Sequence, residues 1–124
     1  MRVLECVLYA EDLEATRAFY EGVLGLSVIS FDPNRDLFLR CEDSVLIVFK
    51  ASRTRIHDSM VPPHGTVGAG HLAFRATREE IEDCKKRVEV IEEIDWRNGA
   101  RSIYFKDPAG NVLEFATPDL WGLS

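Results

Sequence analysis

Apolar positions recur every second residue in some segments and at helical spacing in others, and these two kinds of segment follow in the same order in both halves of the chain. Alternating β-branched and aromatic runs predict strands, and helical spacing follows the first strand of each half. The first half predicts strands at 3–10, 26–31, 36–41 and 44–49, with a helix at 13–25. The second half predicts strands at 71–76, 90–96, 101–106 and 111–116, with a helix at 78–89. This order predicts an α+β fold built from two βαβββ modules.

Capping residues mark the helix starts and a polar segment separates the modules. Asp12 stands at the first N-cap, and Thr77 with Glu80 forms a capping box at the second. The intervening segment carries prolines and glycines, so we expect an exposed loop. The 124 residues therefore form one domain, with module 1 at 1–50, a linker at 51–69 and module 2 at 70–120.

The two modules share a sequence repeat. LFLRCEDSVLIVF at 37–49 aligns without a gap with IYFKDPAGNVLEF at 103–115, an offset of 66 residues. A repeat this long exceeds the roughly 20–50 residues of a solenoid unit and indicates a duplicated half-domain. The same offset places four positions around a pseudo-twofold axis: Glu5, Val48, His71 and Glu114. Three of the four are good metal ligands.

Side chains alternate across a strand, and the alternation gathers polar residues on one face. The bulky apolar residues of the strands can then pack under the helices. One concave surface is expected to carry Glu5, Phe38, Arg40, His71, Ser102, Tyr104 and Glu114. Each of these residues alone has an ordinary structural explanation, such as an exposed glutamate or a hydrogen-bonded histidine. The functional hypothesis depends on their coincidence at repeat-related positions.

Two carboxylates and one imidazole would form an oxygen-rich site for one divalent ion. Such ligands suit Mn²⁺, Mg²⁺ or Fe²⁺, with Ni²⁺ and Zn²⁺ left open. The ion would act as a Lewis acid on vicinal substrate oxygens. Tyr104 would donate a hydrogen bond or proton, and Glu114 or a displaced Glu5 would serve as base. The predicted substrate-binding residues are Phe38, Arg40, Val48, Trp96, Ser102 and Tyr104.

Net charge and cysteine content limit the classes of binding partner and the cellular compartment that we expect. A net charge of −6 argues against nucleic acid, which basic patches bind. No apolar run approaches the roughly 18–20 residues of a membrane span, and the first residues lack a signal-peptide layout. The odd set of Cys6, Cys41 and Cys84 has no C-x-x-C spacing, which predicts a reducing cytoplasm rather than a disulfide framework. A small-molecule substrate remains as the expected partner.

Three segments resemble the vicinal oxygen chelate superfamily: LECVLYAEDLEATRAFYEGVLGL, GAGHLAF and SIYFKDPAGNVLEF. This superfamily includes glyoxalases, fosfomycin thiol transferases, extradiol dioxygenases and bleomycin-binding proteins, and the resemblance covers essentially the whole chain. It implies a cup-shaped, curved mixed sheet with helices outside and metal within. It also implies a homodimer, because modules from two chains often complete each cup. The family's ligand positions fall on Glu5, Val48, His71 and Glu114.

The chain departs from the family pattern at two of these positions. Val48 cannot ligate, whereas lactoylglutathione lyases of this size usually fill all four positions with ligands. Glu5 replaces a histidine that the fosfomycin enzymes and dioxygenases normally carry. The sequence therefore predicts a metal-dependent, glyoxalase-like lyase, isomerase or thiol transferase. The alternatives are a metal-free binding protein of the bleomycin-resistance type and an extradiol-type dioxygenase.

Overall fold

The computed structural model describes all 124 residues and divides them into two compact units, 1–70 and 71–124. The first unit contains β1 (Glu5–Tyr9), α1 (Leu13–Arg17), a π-helical turn (Ala18–Val23), β2 (Ser27–Asp32), β3 (Asp36–Cys41), β4 (Ser44–Phe49) and α2 (Ala51–Thr54). The second contains β5 (His71–Arg75), α3 (Arg78–Cys84), β6 (Glu92–Asp95), β7 (Arg101–Lys106), β8 (Val112–Ala116) and a 3-10 turn (Pro118–Trp121).

Both units contain the same four-stranded mixed sheet. The strand orders are β1-β4-β3-β2 and β5-β8-β7-β6. In each sheet the first and last strands of the module pair in parallel, and the other neighbours are antiparallel. The predicted pair of βαβββ modules is therefore confirmed. No helix of the chain combines the length and apolar character that crossing a membrane requires.

The helix starts agree with the sequence, whereas their lengths do not. The Asp12 carboxylate accepts from the Ala15 amide at 3.0 Å, and Thr77 forms the expected capping box. The first helix widens into a π-helical turn at Ala18, where one more residue is accommodated per turn. The second ends at Cys84 rather than at residue 89, since a hydrogen-bonded turn follows it. Trp96, expected within a strand, lies just beyond β6.

The linker prediction is wrong for its first residues. Ala51–Thr54 forms the short helix α2, in which Ala51 and Thr54 are buried. The His64 amide then donates to the Thr54 carbonyl at 2.9 Å, so the rest of the segment returns to this helix. Residues 55–69 contain no helix or strand.

The sheet of the first unit has two distinct faces. Paired residues of neighbouring strands share a face, so the register assigns each side chain to one side. One face, which α1 covers, consists of buried apolar residues: Leu8, Leu37, Leu39, Leu46 and Val48. The other face carries the exposed Glu5 and Arg40, both of which are in register with Val45.

This register corrects the equivalence of Val48 and Glu114. Glu5 pairs with Val45 in β4, whereas His71 pairs with Val112 in β8, an offset of 67 from 45 to 112. Ile47, rather than Val48, is therefore the counterpart of Glu114. The extra residue lies in the turns, because two residues separate β3 from β4, while three separate Asp107 from Asn111, whose backbone groups are hydrogen-bonded.

The predicted role of Val48 as a substrate-binding residue is thus contradicted. Val48 is 0% exposed and lies on the helix-covered face, opposite to Glu5. Because successive strand residues point to opposite faces, a shift of one residue moves a side chain across the sheet. Val48 is a core residue of the first unit.

Candidate functional site

His71 and Glu114 are brought together by the parallel pairing of β5 and β8. The His71 Nε2 atom lies 3.3 Å from Glu114 Oε1. The other ring nitrogen, Nδ1, is 2.9 Å from the Val112 carbonyl oxygen. Because a carbonyl only accepts, Nδ1 must carry the proton, and the lone pair of the neutral ring is then on Nε2. The main chain of β8 therefore orients the ring so that Nε2 faces Glu114.

The Glu114 carboxylate is held from its other side by two donors in series. Ser102 Oγ donates to Glu114 Oε2 at 2.6 Å, and Trp96 Nε1 donates to Ser102 Oγ at 2.9 Å. Ser102 is fully buried and Glu114 is 5% exposed. One carboxylate oxygen is thus engaged by the protein, while the other faces the imidazole.

Tyr104 completes this cluster from the adjacent strand. It is in register with Glu114, and its ring stacks on His71 with centroids 6.2 Å apart and planes inclined by 20°. Burial, followed by the charge of Glu114 and a hydrogen bond to it, raises the pKa of Tyr104, while Ser102 acts in the opposite direction. The phenol therefore stays protonated at neutral pH, where it can donate a hydrogen bond.

The His71–Glu114 pair fits one divalent cation. Metal–nitrogen and metal–oxygen bonds of about 2.0–2.2 Å at angles of about 90–110° separate two ligand atoms by roughly 2.8–3.6 Å. The observed 3.3 Å lies within that range. Neither unit contains a group of three or more His, Cys, Asp or Glu side chains placed to hold a metal. Glu5 belongs to the first unit, is exposed, and stays a predicted ligand.

The predicted residues of the first unit share one face, except for Val48. Phe38 pairs with Ile47, which places it on the same side as Arg40 and Glu5. Phe38 is half-buried, while Arg40 is exposed. Their roles in substrate binding stay predictions.

The same face carries an aromatic cluster that the sequence pattern did not predict. Tyr9 Oη is hydrogen-bonded to His64 Nδ1 at 2.8 Å. The His64 and Phe49 rings are in edge-on contact with their centroids 4.7 Å apart, and the centroids of Phe49 and Phe38 are 6.2 Å apart. Strand alternation from Glu5 could have assigned Tyr9 to this face. The position of His64 depends on the linker, whose path no sequence period describes.

Comparisons with known proteins identify relatives over nearly the whole chain. The family described as the Glyoxalase/Bleomycin resistance protein/Dioxygenase superfamily matches residues 2–115. A crystal structure of lactoylglutathione lyase from Agrobacterium tumefaciens superposes with a TM-score of 0.94 at 35% identity, covering 99% of this chain and 98% of that one.

A second relative has a name that states no reaction. Virulence protein STM3117 of Salmonella typhimurium is 29% identical over 129 residues, covering 93% of this chain and 83% of the relative. Its crystal structure superposes with a TM-score of 0.68.

Proposed function

We propose that this chain, which belongs to the Glyoxalase/Bleomycin resistance protein/Dioxygenase superfamily, is a divalent-metal-dependent lyase or isomerase. Its substrate would be a small metabolite with two adjacent oxygens. Members of the superfamily include lactoylglutathione lyases and dioxygenases, and they commonly bind a divalent metal. The specific reaction and the substrate class are our inference.

The observation that carries the proposal is the orientation of His71 towards Glu114. In metal-bound histidines the N–H of the second ring nitrogen commonly donates a hydrogen bond to a carbonyl or carboxylate, which fixes the tautomer. His71 does so to Val112, and its Nε2 faces a buried carboxylate oxygen at 3.3 Å. In the proposal His71 and Glu114 are ligands, with Glu5 as the third ligand predicted from the repeat.

The remaining residues have roles that follow from their chemistry. When bound, the cation supplies Lewis-acid polarisation of adjacent substrate oxygens. Tyr104, protonated at neutral pH and hydrogen-bonded to Glu114, would turn its hydroxyl to donate to a substrate oxygen that gains charge. A carboxylate, either Glu114 or Glu5, accepts a substrate proton. Phe38, Arg40 and Trp96 are proposed substrate contacts. Ser102, the other predicted contact, is 0% exposed and its hydroxyl is bonded to Trp96 and Glu114, so we propose that it acts through Glu114 instead.

Similarity favours the lyase or isomerase class over the other family activities. The solved relative at 35% identity is named a lactoylglutathione lyase. The second family ligand position nevertheless carries an apolar residue, whether it is assigned to Val48 or, after correction, to Ile47. We therefore propose the same class of reaction with a different small substrate. A screen for this substrate should include α-ketoaldehyde–thiol adducts, epoxides and catechols.

The first test is metal binding by protein purified without chelators. Isothermal titration with Mn²⁺ and Zn²⁺ should give one ion per chain for the wild type. Glu114→Gln should lower the affinity by at least about 10–100-fold, the loss that even an outer-shell partner can cause. Glu92→Gln, an exposed glutamate on the strand paired with β7 and in register with Tyr104, is the matched control and should bind normally.

Absence of binding by the wild type would refute the proposal and favour the metal-free binding protein. Oxygen consumption with catechols would instead favour the dioxygenase.

We also propose a homodimer in a reducing cytoplasm. Superfamily members are commonly dimers that bind small molecules. The odd number of cysteines and the lack of a C-x-x-C spacing support the reducing compartment. Light scattering should give twice the chain mass of 14.1 kDa, and a monomer at micromolar concentration would contradict the dimer.

A further inference from the structure

We propose that Trp96 and Ser102 are positioning residues for Glu114. In this hypothesis the indole N–H orients the Ser102 hydroxyl, which holds Glu114 Oε2 and leaves Oε1 for a cation shared with His71. The inference rests on the proposed function and adds two residues that do not themselves touch the metal.

The direction of the hydrogen bonds follows from the inventory of donors. An indole N–H can only donate, so Ser102 Oγ accepts from Trp96 at 2.9 Å. The hydroxyl has a single hydrogen, which it donates to Glu114 Oε2 at 2.6 Å. The short distance is typical of a hydrogen bond to a carboxylate. Each member of the series therefore restricts the orientation of the next.

Hydrogen bonds of a tight turn hold the backbone at Trp96, the first residue of the Trp96–Ser102–Glu114 series. Trp96 accepts from the Gly99 amide at 2.9 Å and donates to the Ala100 carbonyl at 2.8 Å. The Asn98 side chain accepts from the Ala100 amide at 3.1 Å, which braces the same turn. Gly99 has a φ of +87°, a conformation that favours glycine. The backbone that carries the indole is thus held by a tight turn.

Burial makes the hydroxyl difficult to replace. Ser102 is 0% exposed, so removing its oxygen leaves Glu114 Oε2 without that donor in a place that solvent does not reach. The carboxylate would then keep only its hydrogen bond with Tyr104, so its orientation towards a cation would be less well defined. Loss of an outer-shell partner of a metal ligand typically lowers metal affinity by about 10–100-fold.

The test combines metal affinity with a signal from the indole itself. ¹⁵N-labelled protein is titrated with Zn²⁺, and the two indole N–H resonances are followed by NMR. The Trp96 resonance should shift with the dissociation constant found by calorimetry, while that of Trp121, which is 79% exposed, should stay unchanged. Ser102→Ala should weaken Zn²⁺ binding by about tenfold or more and abolish the Trp96 shift.

Two further variants separate positioning from general destabilisation. Trp96→Phe keeps an aromatic ring and removes only the donor, so it should weaken Zn²⁺ binding less than Ser102→Ala. Thr16→Val is the matched control, because it removes another fully buried hydroxyl, one that donates to the Asp12 carbonyl at 2.8 Å in the first unit. It should lower the melting temperature without changing Zn²⁺ affinity.

The outcomes distinguish the two hypotheses. If the wild type binds Zn²⁺ and both Ser102→Ala and Trp96→Phe bind it equally well, the positioning role is refuted while the metal-dependent function stands. If Ser102→Ala fails to fold, the affinity of Trp96→Phe decides. If the wild type binds neither Zn²⁺ nor Mn²⁺, the proposed function fails, and the positioning role fails with it.

Discussion

Val48→Glu should strongly destabilise the first unit. Val48 is 0% exposed on the face that α1 covers, among Leu37, Leu39 and Leu46, which are also 0% exposed. Removing a buried valine forfeits about 1.5–3 kcal/mol. Burying a carboxyl group without partners adds about 1–3 kcal/mol even when it is protonated. The expected loss in the free energy of unfolding is therefore about 4 kcal/mol, a large part of the roughly 5–15 kcal/mol of a typical domain.

The assay is thermal unfolding followed by circular dichroism. An unfolding entropy of about 2.1 cal/mol/K per residue converts this loss into a fall of roughly 15 °C in Tm. Val45→Glu is the matched control, because Val45 is on the same strand but on the face of Glu5 and Arg40. Its new carboxylate lies between Arg40, which attracts it, and Glu5, which repels it, so the two effects largely offset and Tm should change little. Tolerance of Val48→Glu together with damage by Val45→Glu would refute the assignment of faces.

Two further substitutions test the helix cap and a titrating carboxyl group. Thr77→Ala should lower stability in urea by about 1 kcal/mol, because it removes the capping box, whereas Thr66→Ala in the exposed loop should have no effect. Burial, and then the charge of Asp32, raises the pKa of Asp36, while Arg35 opposes the shift. Folding therefore favours protonated Asp36, and stability is lost as the pH rises from the ordinary value of about 3.9. Asp36→Asn should raise Tm at pH 7 by about 1–2 °C, and this gain should vanish near pH 3; a gain that persists there would contradict the reasoning.

Periodicity predicted the fold well because both sheets have one thoroughly apolar face. In β7 the buried Ile103 and Phe105 alternate with Ser102 and Tyr104, and the register assigns them to the predicted faces. The order of strands and helices follows from such alternation without any knowledge of tertiary contacts. Capping residues located the helix starts for the same reason, since a cap is a local hydrogen bond.

Features that depend on tertiary contacts could not be predicted in this way. The π-helical turn at Ala18–Val23 and the early end of α3 at Cys84 have no propensity signal of their own. Helix α2 is only four residues long and packs its buried Ala51 and Thr54 against the rest of the first unit. Such a helix is too short to form alone, so tertiary packing determines it.

Strands β8 and β4 show why the face of Glu114 could be predicted from the sequence and that of Val48 could not. In β8, polar Glu114 stands between the apolar Leu113 and Phe115, so alternation alone determines its face. In β4 the run VLIVF at 45–49 contains no polar residue, so polar–apolar alternation does not indicate which of its side chains face α1. The gapless alignment then decided the assignment, and one extra residue in the β7–β8 turn made it wrong by one position. A repeat can therefore indicate that two strands are equivalent, but only hydrogen-bond register shows which of their residues share a face.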